Sequence, residues 1–204
     1  MHPEILSKEQ SELLPFIKQF NRSFYMVGGT AIALHLGHRR SIDFDLFTFK
    51  NLQKAGIKKK IDSWPTKKVK LFEDVDQIHY LINSVKTTFF SFPFAVPYEA
   101  YFQNVIRIPS LIDLAAMKAF ALGRRAKWKD YVDLYFIIKD HHTISDISRK
   151  ASLIFKHEFS EKLFREQLTF HKDIDYSEQV EYLVPAEPDD VMKSFLIEKA
   201  IEIF

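Results

Sequence analysis

The chain has 204 residues, no cysteine and a formal net charge of +2, with 47% apolar and 27% charged residues. That length makes about one to one and a half ordinary domains, and the composition excludes disorder, collagen and a whole-chain coiled coil. Without cysteine there is no disulfide scaffold, zinc–thiolate site, iron–sulfur cluster or thiol nucleophile, and a reducing compartment is expected.

The first sixteen residues, MHPEILSKEQSELLPF, hold no basic region followed by an apolar core, so no secretion signal is expected. The longest uncharged stretch, Thr87 to Tyr98, contains Pro93 and Pro97 and is too short to cross a bilayer. A cytoplasmic protein with no membrane partner is the expectation. Basic clusters occur at Lys58-Lys59-Lys60, at Lys67-Lys68 with Lys70, and at Arg124-Arg125 with Lys127 and Lys129. Each is either a solvated helix face or an attractor of phosphate.

Residues 4 to 20 carry apolar positions at helical spacing, and Phe24 to Val27 reads as a short buried strand ending at Gly28-Gly29. Thr30 to Leu36 is a helix with Gly37 at its C-terminus. Ile42 to Phe49 alternates as a strand, and Asn51 to Trp64 is a basic helix. Lys67 to Phe72, Gln77 to Ile82 and Val85 to Phe90 read as strands, the last two joined by the Asn83-Ser84 turn. Val105 to Ile108 is one more. After Pro109 the period changes from 2 to 3.6. Helices are predicted from Ser110, as N-cap, to Leu122, then over 128–139, 145–156, 160–168 and 188–203. The pattern implies an α+β fold, with a mixed α/β domain over residues 1–109 and a helical domain over 110–204.

The chemistry concentrates in VGGTAIALHLGHRRSIDFDLF, residues 27 to 47. A strand that runs into two glycines and straight into a helix presents free backbone N–H groups, a ready seat for phosphate. Asp43 and Asp45 follow; on a strand they share a face, about 6–7 Å apart, and repel unless a cation lies between them. A hard divalent ion with oxygen ligands, Mg²⁺ (or Mn²⁺), suits that pair.

Gly28-Gly29-Thr30, a spacer, then Asp43-x-Asp45 resembles the signature of the DNA polymerase β-like nucleotidyltransferase superfamily. Within it, this segment and the later IDLAAMKAFALGRRAKWKDYVDLYFII, residues 112–138, are similar to the AbiEii/AbiGii abortive-infection toxin nucleotidyltransferases. The resemblance implies a small mixed sheet flanked by helices, completed by a helical bundle. It implies transfer of a nucleoside monophosphate from an NTP to a hydroxyl, with RNA, tRNA in particular, as acceptor and an antitoxin as partner. Gly28, Gly29 and Thr30 would cradle the triphosphate, and Asp43 and Asp45 would hold the metal.

Lys118 stands on an apolar helix face with Leu111, Leu114 and Leu122. It must snorkel, pair, or touch phosphate; the resemblance places it in the active site. Asp130 and Asp133 share a face of an aromatic-rich helix and need a cation such as Arg124, Arg125, Lys127 or Lys118. Asp130 is either the base for the attacking hydroxyl or the orienter of Lys118; the resemblance favours it over Asp133. His38 and Arg39 approach the triphosphate or fix the loop holding Ser41, and Ser41 is a phosphate donor or a strand cap. Where many superfamily members carry a third carboxylate, this chain offers Thr88. That departure keeps alternatives open: a catalytically impaired nucleotide-binding module, or a transferase acting on a protein or small-molecule hydroxyl.

Overall fold

The computed structural model describes residues 1–185 and 187–202. The helices are α1 (Lys8–Lys18), α2 (Gly28–Leu36), α3 (Lys54–Ser63), α4 (Leu111–Leu122), α5 (Trp128–Asp140), α6 (Ile144–Phe155), α7 (Glu161–Thr169) and α8 (Asp189–Ile201). The strands are β1 (Tyr25–Val27), β2 (Phe44–Thr48), β3 (Lys68–Glu73), β4 (Gln77–Ile82), β5 (Val85–Ser91), β6 (Ala100–Phe102) and β7 (Ile106–Ile108). The last helix was expected to reach Ile203, which lies outside the described residues.

The strands form one mixed sheet in the order β3-β4-β5-β2-β1-β7-β6. β2 lies parallel to β5 and β1 parallel to β7, while the other neighbours are antiparallel. β1 and β2 are therefore central. Their register sets Asp45 beside Val27 on one side and beside Thr88 on the other.

Three local differences from expectation have simple causes. The N-terminal helix starts only at Lys8, because Ser7 caps it in a reciprocal capping box with Gln10; a single 3-10 turn, Pro3–Ile5, precedes it. β6 escaped the pattern because it is three residues long. It pairs with β7 through a turn in which Gln103 and Asn104 both have positive φ. Finally, α2 begins at Gly28 itself, and β2 begins at Phe44, so Asp43 stands in the loop just before its strand.

One buried apolar cluster runs through the sheet and the helices after residue 109. Aromatic side chains carry much of the join. Phe94, which follows β5, meets Phe120 of α4 and Phe155 of α6 edge-on at 5.3 and 5.0 Å. Phe120 and Phe155 stack with ring centres 3.9 Å apart. Rings of this size each bury about 150–250 Å², which holds α4 against the sheet. Among the described residues, no helix is long and apolar enough to cross a membrane.

Candidate active site

The site is built where β1 turns into α2. Gly28 has φ +74, and a side chain there would strike Asp45 Oδ2 at 2.2 Å. Only glycine serves, both for the dihedral and for the close approach of Asp45. A Cβ at Gly29 would lie 2.6 Å from Arg39 Nη2 and 3.0 Å from Ser41 Oγ. The room left by the missing side chains is thus filled by Asp45 and Arg39. What the turn still offers an anion is the backbone N–H groups of the first turn of α2, which have no partner within the helix. Gly29→Ala is expected to lower stability by about 1–3 kcal/mol through overpacking against Arg39, read as a shift in the urea midpoint.

The loop between α2 and β2 is pinned from three sides. The Thr30 hydroxyl donates to the Asp43 carbonyl and lies 3.0 Å from the Ser41 hydroxyl. Gln10 Nε2 of α1 donates to the Ser41 carbonyl at 2.9 Å. His38 Nε2 and Arg39 Nε and Nη2 all reach the Asp133 carboxylate of α5, at 2.8, 2.7 and 2.8 Å. Arg39 is 3% exposed, and its guanidinium ties the loop to Asp133. Thr30 and Ser41 likewise act as loop ties. His35 Nε2 bonds the Pro109 carbonyl at 3.0 Å.

Lys118 joins the same buried network. Its ammonium donates to Asp130 Oδ1 and lies 2.9 Å from Asp133 Oδ2. Both carboxylates are fully buried, and Asp130 Oδ2 also accepts from Arg125 Nε at 3.0 Å. Burial pushes the Asp133 carboxyl up, but Arg39, Lys118 and His38 outweigh it and hold it well below its usual range. The same balance, struck by Lys118 and Arg125, lowers Asp130. A carboxylate so paired is a poor proton acceptor, so the geometry suits Asp130 as the orienter of Lys118 and Arg125.

Asp43 behaves in the opposite way. Burial raises its carboxyl above the ordinary value, and the charge of Asp45 raises it further. Two carboxylates that repel in this manner, beside a glycine cradle, form a fitting donor set for a hard divalent cation whose remaining ligands come from phosphate or water. Among the described residues, no cluster of three or more His, Cys, Asp or Glu competes as a metal site.

The two carboxylates face different spaces. Asp45, Gly28, Thr88, Lys118 and Arg125 line a cavity of about 410 Å³ between the sheet and α4, which Gln77, His79, Lys86, Phe120 and Arg124 complete. The Arg124 guanidinium lies 3.6 Å from the Phe120 ring centre. Asp43 lines a second, open groove of about 610 Å³ with Arg39, Arg40, Ser41, Ile42, Lys129 and the segment Glu178–Glu181.

A model of the family described as nucleotidyl transferase AbiEii toxin, type IV toxin–antitoxin system, matches residues 16–200. The chain belongs to this AbiEii family. An uncharacterized protein of Aquifex aeolicus is 34% identical over 142 residues, 67% of this chain and 68% of that protein. Among solved structures, MenT4, a nucleotidyltransferase toxin from Mycobacterium tuberculosis, is similar with a TM-score of 0.67 at 13% identity, covering 94% of this chain and 80% of that one. JHP933 from Helicobacter pylori gives 0.53 at 15% identity, covering 96% and 94%. These likenesses show the fold. An AbiEii-family chain is a nucleotidyltransferase, and the mixed sheet followed by helices is the architecture expected of one.

Several residues of this AbiEii-family site were not singled out by sequence. Gln10 had a usable signal: it shares a helical stripe with Leu13 and Ile17 and is buried with them. Gln77, His79 and Lys86 reach the cavity only through the strand order, and Glu178 only through the path of the chain after α7. No local pattern marks them.

His38 also carries a pH dependence. Burial lowers its pKa below the ordinary value, against the raising effect of Asp133. An unfolded histidine takes up its proton near pH 6.5, while folded His38 resists to lower pH. The unfolded state therefore binds more protons in that window, and stability falls as pH falls. Between about pH 7 and 5, urea midpoints of the unaltered chain should drop faster than those of a His38→Gln variant.

Proposed function

We propose that this chain moves a nucleoside monophosphate from an NTP to a hydroxyl on RNA, with tRNA the favoured class. It acts in the cytoplasm as the toxin of a toxin–antitoxin pair. The observation that carries the reading is the gathering of three features around the β1–α2 turn. They are the glycine turn at a helix N-terminus, the repelling Asp43 and Asp45 carboxylates, and the cations Lys86, Lys118, Arg124 and Arg125. A polyanion carrying its own cation answers all three.

In this reading residues 1–109 supply the turn and the carboxylates, and residues 110–204 close the cavity. Gly28 and Gly29 offer backbone N–H groups to the triphosphate. Lys118 and Arg125, oriented by Asp130, face the phosphates across the cavity. Asp43 and Asp45 would hold Mg²⁺ (or Mn²⁺), which when bound supplies neutralisation of phosphate charge. The acceptor oxygen attacks the α-phosphorus, the bond from that phosphorus to the bridging oxygen breaks, pyrophosphate leaves, and the hydroxyl proton passes to solvent. The site holds the acceptor and the α-phosphate in line and keeps the leaving group among cations. Thr88 beside Asp45 cannot act as a base near neutral pH, so Thr88→Ala should slow transfer by less than about tenfold.

The test uses purified protein, Mg²⁺, each labelled NTP in turn and total cellular RNA, with an Asp43→Ala/Asp45→Ala double variant alongside. Label in an RNA band with the unaltered chain alone supports the reading and identifies both nucleotide and acceptor. Label in protein, or none with NTP still bound in calorimetry, overturns RNA as the acceptor.

A further inference from the structure

We propose that the groove on the Asp43 side is the seat of the acceptor strand, and that Glu178 is an internal stand-in for its phosphate. The inference rests on the reading of the cavity as the nucleotide site. In-line displacement puts the attacking oxygen and the leaving pyrophosphate on opposite sides of the α-phosphorus. With the nucleotide in the cavity lined by Asp45, the nucleophile arrives from the far side of the carboxylate pair. The other space that the carboxylate pair borders is the groove lined by Asp43.

The groove is furnished for a single-stranded RNA end. Besides Arg39, which Asp133 holds, its cations are Lys129, at the start of α5, with Lys127 just before it in the chain, and Arg40 from the loop. Each is held by a carboxylate of one segment: Glu178 accepts from both Lys127 and Lys129, and Glu181 accepts from Arg40 Nε at 2.7 Å. Ile42, 66% exposed on the lip beside Asp43, presents an apolar face to a terminal base.

The segment is anchored on both sides of Glu178. Trp128 N–H donates to the Asp175 carbonyl and Asp175 N–H to the Ala126 carbonyl, at 3.0 and 2.7 Å. Further on, Arg40 N–H donates to the Glu181 carbonyl and Leu183 N–H to the His38 carbonyl, at 2.9 and 3.0 Å. Glu178 thus lies on a strap tied at both ends, where a backbone phosphate can take its place without undoing the fold. Protonation does not release it: burial raises its carboxyl, but the hydrogen bonds from the two lysines bring it down to about 2. Competition by another anion is the remaining route.

The experiment measures binding of a short labelled single-stranded RNA by fluorescence anisotropy over a salt series, and NTP affinity by calorimetry, for full-length variants. Glu178→Gln frees two lysines and should tighten RNA binding roughly threefold to tenfold. Lys127→Gln/Lys129→Gln should weaken it by a similar factor and reduce the salt slope by about 1.4. NTP affinity should stay within about twofold in both, since neither lysine lines the cavity. The opposite signs of the two changes separate the proposal from a folding defect. RNA binding that ignores both variants, or NTP affinity that follows them, overturns the groove assignment and leaves the RNA reading intact. No RNA binding by the unaltered chain overturns both.

Discussion

Asp133→Asn should cost the fold about 3–5 kcal/mol, because it leaves Arg39 and Lys118 buried beside a neutral amide. For a chain of this length that is a fall in Tm of roughly 10 °C. The carboxylate is fully buried and gathers His38 and Arg39 from the α2–β2 loop and Lys118 from α4. Removing one partner of such a set strands the others, whereas replacing the set with apolar groups of similar volume does not. Arg39→Met combined with Asp133→Leu should therefore recover much of the loss. A single Asp133→Asn variant that melts within a degree or two of the unaltered chain would show that the network contributes little. Because Asp133 fixes the loop bearing Asp43, the same variant should lose activity even at temperatures where it is folded.

Asp45→Asn should have the reverse profile, with transfer falling by about a thousandfold or more and stability unchanged or slightly raised. The activity loss corresponds to several kcal/mol of transition-state charge stabilisation. The stability follows from the repulsion that already raises the Asp43 carboxyl, which the amide relieves. The checks are single-turnover kinetics with labelled NTP beside a thermal melt. An Asp45→Asn variant that transfers at the normal rate would remove the carboxylate pair from the mechanism. One that is inactive and also unfolded would make Asp45 a structural residue.

These two aspartates mark the boundary of what local pattern can reveal. Asp45 was legible because a glycine turn, a spacer and an acid-x-acid strand form a contiguous block, and its chemistry follows from residue type and spacing. The helices carrying Lys118 and Asp130 were legible for a similar reason, since charges on otherwise apolar faces demand partners. The partners themselves were not. Arg39 was as good a phosphate ligand as any until α5 brought Asp133 within 2.8 Å of it. Asp43 and Asp45 were expected to share one face. The strand begins at Phe44, two residues later than expected, and they line different spaces.

By itself, then, the sequence determined the succession of elements apart from β6, the change of period after Pro109, the glycine turn with its carboxylates and the family resemblance. Each is encoded within a stretch of about twenty residues, where side-chain period and backbone preference act directly. Only the tertiary structure decided which charges neutralise one another, which face each aspartate takes, and that Glu178 occupies the groove beside Asp43. Those outcomes depend on contacts between residues 94 and 141 positions apart, such as Arg39 with Asp133 and Arg40 with Glu181. A buried charge takes whichever opposite charge the fold brings to it, and that choice is made by packing.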